Sequence, residues 1–156
     1  MASGMDQNRV IDFLNVSVGE SAPGAGTAVL AAGFNAGASN RGHIRLMTTN
    51  GSSTANGTEL GSGGSYTAVT GIIYTTGTAG QFAGATYSSG SGTTNNNATL
   101  SQANMPGPNT IVGIEIWDSA GTPLRWWWGS LTSSVSVNNG DTLSFSSSAI
   151  VATLTA

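Results

Sequence analysis

The residue types that could do chemistry in this chain are few and scattered. It has a single histidine, His43, and no cysteine, so the nitrogen and sulfur ligands of a zinc site are missing. A lone histidine at the start of a strand is typical of a surface or packing residue. The seven carboxylates match no calcium-loop pattern: Asp6, Asp12, Glu20, Glu59, Glu115, Asp118 and Asp141. We therefore expect no metal site and no cofactor.

Glu115 and Asp118 are the carboxylates that could in principle form an acid–base pair of the glycosidase type. Simpler roles compete with that one, because Glu115 has a potential partner in Arg125 and Asp118 begins a turn. No G-x-S-x-G nucleophile elbow occurs. The glycine-rich stretches each fail the third position of the dinucleotide-binding pattern. We expect no catalytic residue and a protein that is not an enzyme.

Both carboxylates lie in a predicted β-hairpin around which we organise the rest of the chain. Two β-branched and aromatic runs, Ile111 to Trp117 and Leu124 to Leu131, flank a short connection that contains Gly121. A three-residue loop, Ser119 to Gly121, would put the glycine where φ must be positive. The sequence therefore predicts a tight hairpin that carries all four tryptophans.

The loop length predicts a register for this hairpin. Glu115 would face Arg125 as an opposite-charge pair, and Trp127 would lie over Gly113, both favourable cross-strand partners. One continuous apolar face would then consist of three facing pairs, Ile116 with Leu124, Ile114 with Trp126, and Val112 with Trp128. In this register Trp117 and Trp127 share the face opposite the core. An exposed aromatic pair could stack on sugar rings or be buried against a neighbouring subunit, and we favour subunit contact.

The composition indicates an all-β chain that spends its life in an assembly. Twenty-three glycines with abundant Ser, Thr and Asn disfavour helix, whereas 38% hydrophobic residues supply a core. The pattern of short strands and turns predicts an antiparallel β-sandwich, of the jelly-roll or Ig-like kind, with one short N-terminal helix. Only 7% of residues are charged, against about a quarter in ordinary soluble domains. A surface so poor in charge suits a protein with neighbours on several sides.

Composition also excludes two classes of partner. A net charge of −3 without a basic cluster argues against nucleic-acid binding, which requires Lys and Arg on the phosphates. No apolar run approaches the roughly 20 residues that span a bilayer, so we expect no membrane partner.

The domain organisation is read from the helix signals at the N-terminus. Ser3 followed by Asp6 resembles a helix cap, Phe13 and Leu14 continue one helical face, and Gly19 ends it. We therefore assign residues 1–20 to an N-terminal arm with a short helix, and residues 21–156 to a single β-sandwich domain. Within that domain Ser88 to Asn97 is low in complexity and is expected to be an exposed loop.

Several stretches resemble a family of small tailed-phage structural proteins, usually described as tail-fibre-like or head-decoration proteins. The resemblance is best over Asn109 to Leu154. It is carried by the M-A-S-G start, Gly57-Thr58-Glu59-Leu60, Gly64-Ser65-Tyr66, the run Val112 to Asp118, a Trp-Gly-x-Leu-Thr at Trp128 to Thr132, and Asn139 to Phe145. The resemblance implies a non-enzymatic virion protein, a homotrimer, with a β-sandwich body.

Two functions follow as expectations. The first is a capsid decoration (cement) protein on the outer shell, in contact with the major capsid protein or neighbouring virion proteins. The alternative is a tail-fibre or host-binding protein whose loops contact cell-surface glycans. Under the first, the subunit or shell interface would consist of Arg9, Phe13 and Leu14 in the arm, and Trp117, Arg125 and Trp127 in the hairpin.

Overall fold

The fold is antiparallel and nearly all β, which confirms the predicted fold class. A computed structural model describes Ile11, Phe13, Leu14, residues 41–75 and residues 81–155. Its strands in chain order are β1 Arg41–Thr49, β2 Thr58–Glu59, β3 Ile72–Thr75, β4 Thr86–Ser88, β5 Ser91–Asn95, β6 Leu100–Gln102, β7 Asn109–Trp117, β8 Arg125–Val137, β9 Leu143–Phe145 and β10 Val151–Thr155.

The strands form one large sheet and two small ones in a sandwich-like arrangement. The large sheet has the order β2-β1-β7-β8, and β3 also pairs with β1. The small sheets are β10-β5-β4 and β6-β9. A common apolar core joins them, because residues from all three sheets or their flanks belong to one buried cluster that includes Ile44, Tyr74, Leu100, Phe145 and Ile150.

Strand β1 shows how the sequence specifies this packing. The alternating pattern of His43 to Thr49 predicts two faces, and the structure confirms them: Ile44 and Leu46 point into the core, and Arg45 and Met47 point to the other face of the large sheet. Arg45 and Met47 are nevertheless buried as well. The large sheet is therefore covered on both faces at this strand, and its second face has to accommodate charge.

The helix prediction falls mostly outside the described residues. Ile11, Phe13 and Leu14 are helical, in agreement with it, and Leu14 is fully buried. The proposed cap at Ser3 and Asp6 and the proposed end at Gly19 lie outside the described residues. The division of the chain at residue 20 stays a prediction.

The expectation of an exposed loop at Ser88 to Asn97 is wrong. Ser91–Asn95 is β5, the central strand of the three-stranded sheet, and Thr94 and Asn96 are fully buried. Asn96 is tolerated there because its amide is satisfied: Nδ2 donates to the carbonyl oxygens of Ala98 and Ser146, and Oδ1 accepts from Ile150 N, each at 2.8 Å. The low complexity of this segment indicates a loop, but small polar residues also form a stable strand where adjacent strands hydrogen-bond to their backbone, as β4 and β10 do here.

The predicted hairpin exists as β7 and β8, but its register is wrong. Glu115 faces Trp128, Ile116 faces Trp127, and Trp117 faces Arg125. The predicted six-residue apolar face fails accordingly, since Trp128 is 46% exposed and Leu124 57% exposed. Trp117 and Trp127 also lie on opposite faces, because Trp127 packs against the core and Trp117 belongs to the second face of the sheet.

The physical reason for the register lies in the connection after Trp117. Asp118 N donates to Leu124 O at 3.1 Å, and Asp118 Oδ1 accepts from Leu124 N at 2.9 Å, so five residues loop out between them. The register also shifts between Ile111 and Gly113 and between Ile116 and Trp117. A carboxylate bound to the far side of the loop outweighs the preference for a tight glycine turn.

Gly42 provides a test of the packing between β1 and β3. A Cβ at Gly42 would overlap the ring of Tyr74, which is fully buried and packs against Phe82 at a centroid distance of 5.1 Å. Gly42→Ala should therefore cost about 1–3 kcal/mol of unfolding free energy. Gly61→Ala, where no described residue beyond the chain neighbours lies within 4 Å of the new methyl, should stay within about 0.5 kcal/mol of the parent. Urea denaturation compares the two, and equal midpoints would contradict this packing.

Candidate functional site

A buried carboxylate, Glu115, lies at the centre of the second face of the large sheet. Glu115 is 1% exposed, and both of its oxygens are engaged. Oε1 accepts from Gly57 N and from Arg125 Nη1, both at 2.8 Å, and Oε2 accepts from Trp117 Nε1 at 3.0 Å. A buried charge is tolerated when it is paired and its remaining lone pairs are bonded, and Glu115 meets both conditions.

Arg125 extends this pair to the loop between β1 and β2. Its Nη1 donates to Ala55 O at 2.8 Å, and its Nη2 donates to Ser52 O at 2.6 Å. The guanidinium therefore binds a carboxylate and two loop carbonyls at once, which uses the fixed fork geometry of arginine. The loop 50–57 is held over the sheet by these bonds and by Gly57 N.

A second cation, Arg45, lies beside this pair. Its guanidinium carbon is 3.9 Å from the centre of the Trp117 ring, which is a cation–π contact in a desolvated place. Its Nη1 lies 3.7 Å from Glu59 Oε2, and Tyr66 Oη donates to Glu59 Oε1 at 2.9 Å. Among the described residues, Nε and Nη2 of Arg45 have no hydrogen-bond partner. Among the described residues, the Trp117 ring and Glu59 are therefore the groups that offset the cost of burying the Arg45 charge.

Two titratable groups respond to the burial of this face. Burial first, and the neighbouring charges of Arg45 and Arg41 as well, lower the pKa of His43 from 6.5, with Asp118 acting in the opposite direction. Burial also raises the pKa of Tyr66 above its usual range. His43 is therefore neutral near pH 7, and Tyr66 stays a hydrogen-bond donor.

The geometry gives Glu115 and Asp118 structural roles. Asp118 is 1% exposed; Oδ1 accepts from Leu124 N at 2.9 Å and Ala120 N at 3.3 Å, and Oδ2 accepts from Trp126 Nε1 at 3.2 Å. The pairing of Glu115 with Arg125 and the turn role of Asp118 are thus confirmed. The pairing survives the wrong register because Arg125 faces Trp117 and reaches Glu115 diagonally.

On the core side of β7 and β8 an apolar cleft of about 70 Å³ opens between the two sheets. Ile114, Ile116 and Trp127 line it from the large sheet, and Ile150 and Ala152 from the segment of β10. Gly129 adjoins it, and apart from its chain neighbours no described residue has an atom within 4 Å of the place where a Cβ would be. Trp128 and Val151 also border the cleft; they are 46% and 57% exposed, and Trp128 pairs with Glu115 of the other face of the large sheet. The cleft is therefore an opening from the surface into the core.

Comparison with known protein families shows the family to which the chain belongs. A family model described as podophage GP4 fiber I protein gp80 matches residues 25–153, which is most of the chain. The chain belongs to this podophage fiber I family. It is a structural component of a tailed-phage virion, as the sequence resemblance predicted. The same comparisons find no matching curated protein and no matching solved structure.

In this fiber I protein, the residues predicted for an interface occupy different environments. Trp117 is 8% exposed and Arg125 lies in the ionic network, whereas Trp127 is half-buried against the core. Phe13 is half-buried, Leu14 is buried, and Arg9 lies outside the described residues. The structure brings Trp117 and Arg125 together and places Trp127 on the other face of the sheet. Their assignment to a subunit or shell interface stays a prediction.

Sequence reasoning missed two features of the family member. The first is the contact of Arg45 with Trp117. The sequence places Arg45 on the second face of the sheet, but it does not reveal this contact, because the two residues are far apart in the chain. The cleft had one sequence signal, Gly129 directly after three tryptophans, because a glycine inside a strand often marks a bulge or a close approach. The signal did not reveal that the space beside Gly129 is open.

The described part of the chain holds no group of three or more His, Cys, Asp or Glu side chains that could bind a metal ion. It also holds no helix long and apolar enough to cross a membrane.

Removing the central carboxylate should destabilise the protein strongly. In Glu115→Ala, Arg125 stays buried without its charge partner, which costs about 3–5 kcal/mol in comparable pairs. The Gly57 amide, which loses its acceptor, should also exchange its proton faster. Arg41→Ala, which removes a charge from an exposed position, should cost less than about 0.5 kcal/mol. Chemical denaturation and hydrogen exchange measure both effects, and a stable Glu115→Ala with a protected Gly57 amide would refute the assigned role.

The lowered pKa of His43 predicts a pH dependence of stability. The unfolded chain, with the ordinary pKa of 6.5, takes up a proton more readily than the folded protein does. The unfolding free energy should therefore be highest above about pH 6.5 and decrease as the pH falls through that value. Because His43 is the only histidine, His43→Gln should flatten the curve between about pH 7.5 and about pH 5.5. Denaturation across this range tests it; an unchanged slope in the variant would assign the dependence to other groups.

Proposed function

We propose that this protein is a non-enzymatic structural component of the tail-fibre apparatus and acts as a homo-oligomer, with a trimer expected. The family match over residues 25–153 carries the proposal, because the matching family is described as a podophage fiber protein. No cofactor is needed for such a role. Glu115 and Asp118, the two carboxylates nearest in sequence to a catalytic pair, are fully engaged in holding the fold.

The distribution of charge supports an assembled protein. Charged residues make up 7% of the chain, and Arg45, Glu115 and Asp118 are buried. Little charge is left to solvate the outer surface and to keep copies apart. The exposed apolar side chains Trp128 and Val151 are consistent with a surface that a neighbour covers.

The second candidate is a capsid decoration protein that ties neighbouring capsomers together through the major capsid protein. It is supported by the compact body, because the part of the chain that the structure describes contains short strands and no repeated shaft. In this function Arg9 and Phe13 of the arm would contact the shell, whereas Leu14 is fully buried. Deleting Met1 to Gln7 should then weaken coating of empty capsids.

Within the fibre proposal, host-cell glycans are a possible ligand class. Trp128, with 46% of its surface exposed, offers a ring for stacking on a sugar, whereas Trp127 is packed against the core. Binding to a glycan array that Trp128→Ala abolishes would support host recognition.

Localisation on intact particles tests the two candidates. Particles labelled with an antibody against this protein should show label at the tail by electron microscopy, with a neck-to-tip position that is constant between particles. Label distributed over the head would support capsid decoration instead. Purified particles that lack the protein altogether would contradict both functions, and an antibody against the major capsid protein serves as the positional control.

A further inference from the structure

The exposed ring of Trp128 extends from the second face of the large sheet. Trp128 faces Glu115 across the strand pair, and side chains that face each other in this way lie on the same side of a sheet. Trp128 is 46% exposed. The face of an indole ring is electron-rich and attracts C–H groups that carry a small positive charge. A sugar ring presents such C–H groups on one of its sides, so Trp128 offers a platform on which it can stack.

A side chain from the loop 50–57 lies beside this ring. Gly113 faces Ser130, which is two residues along β8 from Trp128 on the same face. A Cβ at Gly113 would overlap Asn50 Oδ1, so the Asn50 amide occupies the place of the missing side chain. Facing and diagonal positions of a strand pair are about 5–8 Å apart, within reach of an aromatic side chain. Trp128, Ser130 and Asn50 therefore form one surface, which we call the Trp128 surface.

The polar groups of the Trp128 surface are available to a ligand. Asn50 and Ser130 are exposed, and no hydrogen bond within the described part of the chain uses their side-chain atoms. The amide both donates and accepts, and so does the hydroxyl group. Sugar hydroxyl groups match both kinds of partner, whereas an apolar molecule placed here would bury these groups unpaired. The surface therefore favours a ligand that is rich in hydroxyl groups.

The charges beneath the Trp128 surface are shielded from it. A Cβ at Gly51 would overlap Glu115 Oε1, so the Gly51 backbone lies against this carboxylate, which is 1% exposed. Arg125 Nη1 neutralises the carboxylate from 2.8 Å. A carboxylate or sulfate group of an acidic sugar would therefore lose hydration here without gaining a counter-charge. The surface thus selects uncharged sugars.

The loop that carries Asn50 is held in place before any ligand binds. Arg125 Nη2 donates to Ser52 O at 2.6 Å, and Arg125 Nη1 donates to Ala55 O at 2.8 Å. Ser52 N also donates to Ala55 O at 2.8 Å, which closes a turn within the loop. A loop that is already ordered lowers the entropic cost of binding. The buried ion pair therefore supports the Trp128 surface from below.

We propose that the Trp128 surface is a binding site for an uncharged glycan. One sugar ring stacks on Trp128, and its hydroxyl groups exchange hydrogen bonds with the Asn50 amide and the Ser130 hydroxyl group. The proposal rests on the host-recognition part of the fibre function and deepens it, because it adds the polar groups of the site and the charge class of the glycan.

Surface polysaccharides of the bacterium that the phage infects provide the probe. They are separated into neutral and acidic fractions, printed as an array and incubated with the full-length protein. The neutral fraction should bind, and the acidic fraction should not. Trp128→Ala should weaken this binding at least about tenfold because the stacking platform is lost, whereas Trp128→Phe should retain most of it. Asn50→Ala should weaken binding at least about threefold because a hydrogen-bonding group is lost.

Two variants at other exposed positions serve as matched controls. Val151→Ala shortens an exposed apolar side chain, and Asn139→Ala removes an exposed amide; both should bind like the parent. Urea denaturation of Trp128→Ala and Asn50→Ala should give midpoints close to that of the parent, because both side chains are exposed. Weakened binding in these variants is then separated from a loss of folding.

Three results on the array would overturn the inference: binding of the acidic fraction alone, binding that Trp128→Ala and Asn50→Ala leave unchanged, and no binding of either fraction. Sedimentation velocity adds a fourth. A change of oligomeric state in Trp128→Ala would assign Trp128 to a subunit contact instead of a glycan site.

The outcome is distinguishable from that of the proposed function. If particles carry the protein at the tail but neither fraction binds, the inference alone fails. If the neutral fraction binds through Trp128 but particles lack the protein, the virion role fails and the glycan site stands.

Discussion

The structure depends on the burial of one ion pair, Glu115 with Arg125, beneath a loop. The carboxylate is 1% exposed, and the guanidinium that neutralises it also binds the carbonyl oxygens of Ser52 and Ala55. Two strands and the loop 50–57 are thereby joined by a single pair of side chains. Among the described residues, neither charge has another charged partner as close as 2.8 Å. Removing one of the two side chains would therefore leave the other charge buried without a partner, and it would loosen the loop from the sheet.

This use of charge has a consequence for the surface. The chain has four basic and seven acidic residues, and five of them, Arg45, Glu59, Glu115, Asp118 and Arg125, belong to the network on the second face of the large sheet. Charges that hold the fold are not available to solvate the exterior. β10 and the part of β8 after Arg125 contain no ionisable side chain.

Membership of the podophage fiber I family gives this arrangement a setting. A virion component works at high local concentration beside neighbouring proteins, where a surface with little charge can be covered. For a free protein in solution the same features would be a liability.

The sequence by itself determined the class of fold, the alternation of β1, the hairpin of β7 and β8, and the family. It also identified Glu115 with Arg125 as a pair. These features depend on local pattern, namely side-chain alternation, turn residues and composition, and each is complete within a short stretch of chain.

Only the tertiary structure decided the register of the hairpin, the role of β5, the contact of Arg45 with Trp117 and the open space beside Gly129. The register shifted because Asp118 binds across a longer loop, a hydrogen bond that competes with turn preference and has no counterpart in the pattern of residues. β5 became a strand because its neighbours on both sides supply backbone partners, although its own residues favour a loop. Such outcomes depend on which distant segments meet, and that is settled by the packing of the whole chain.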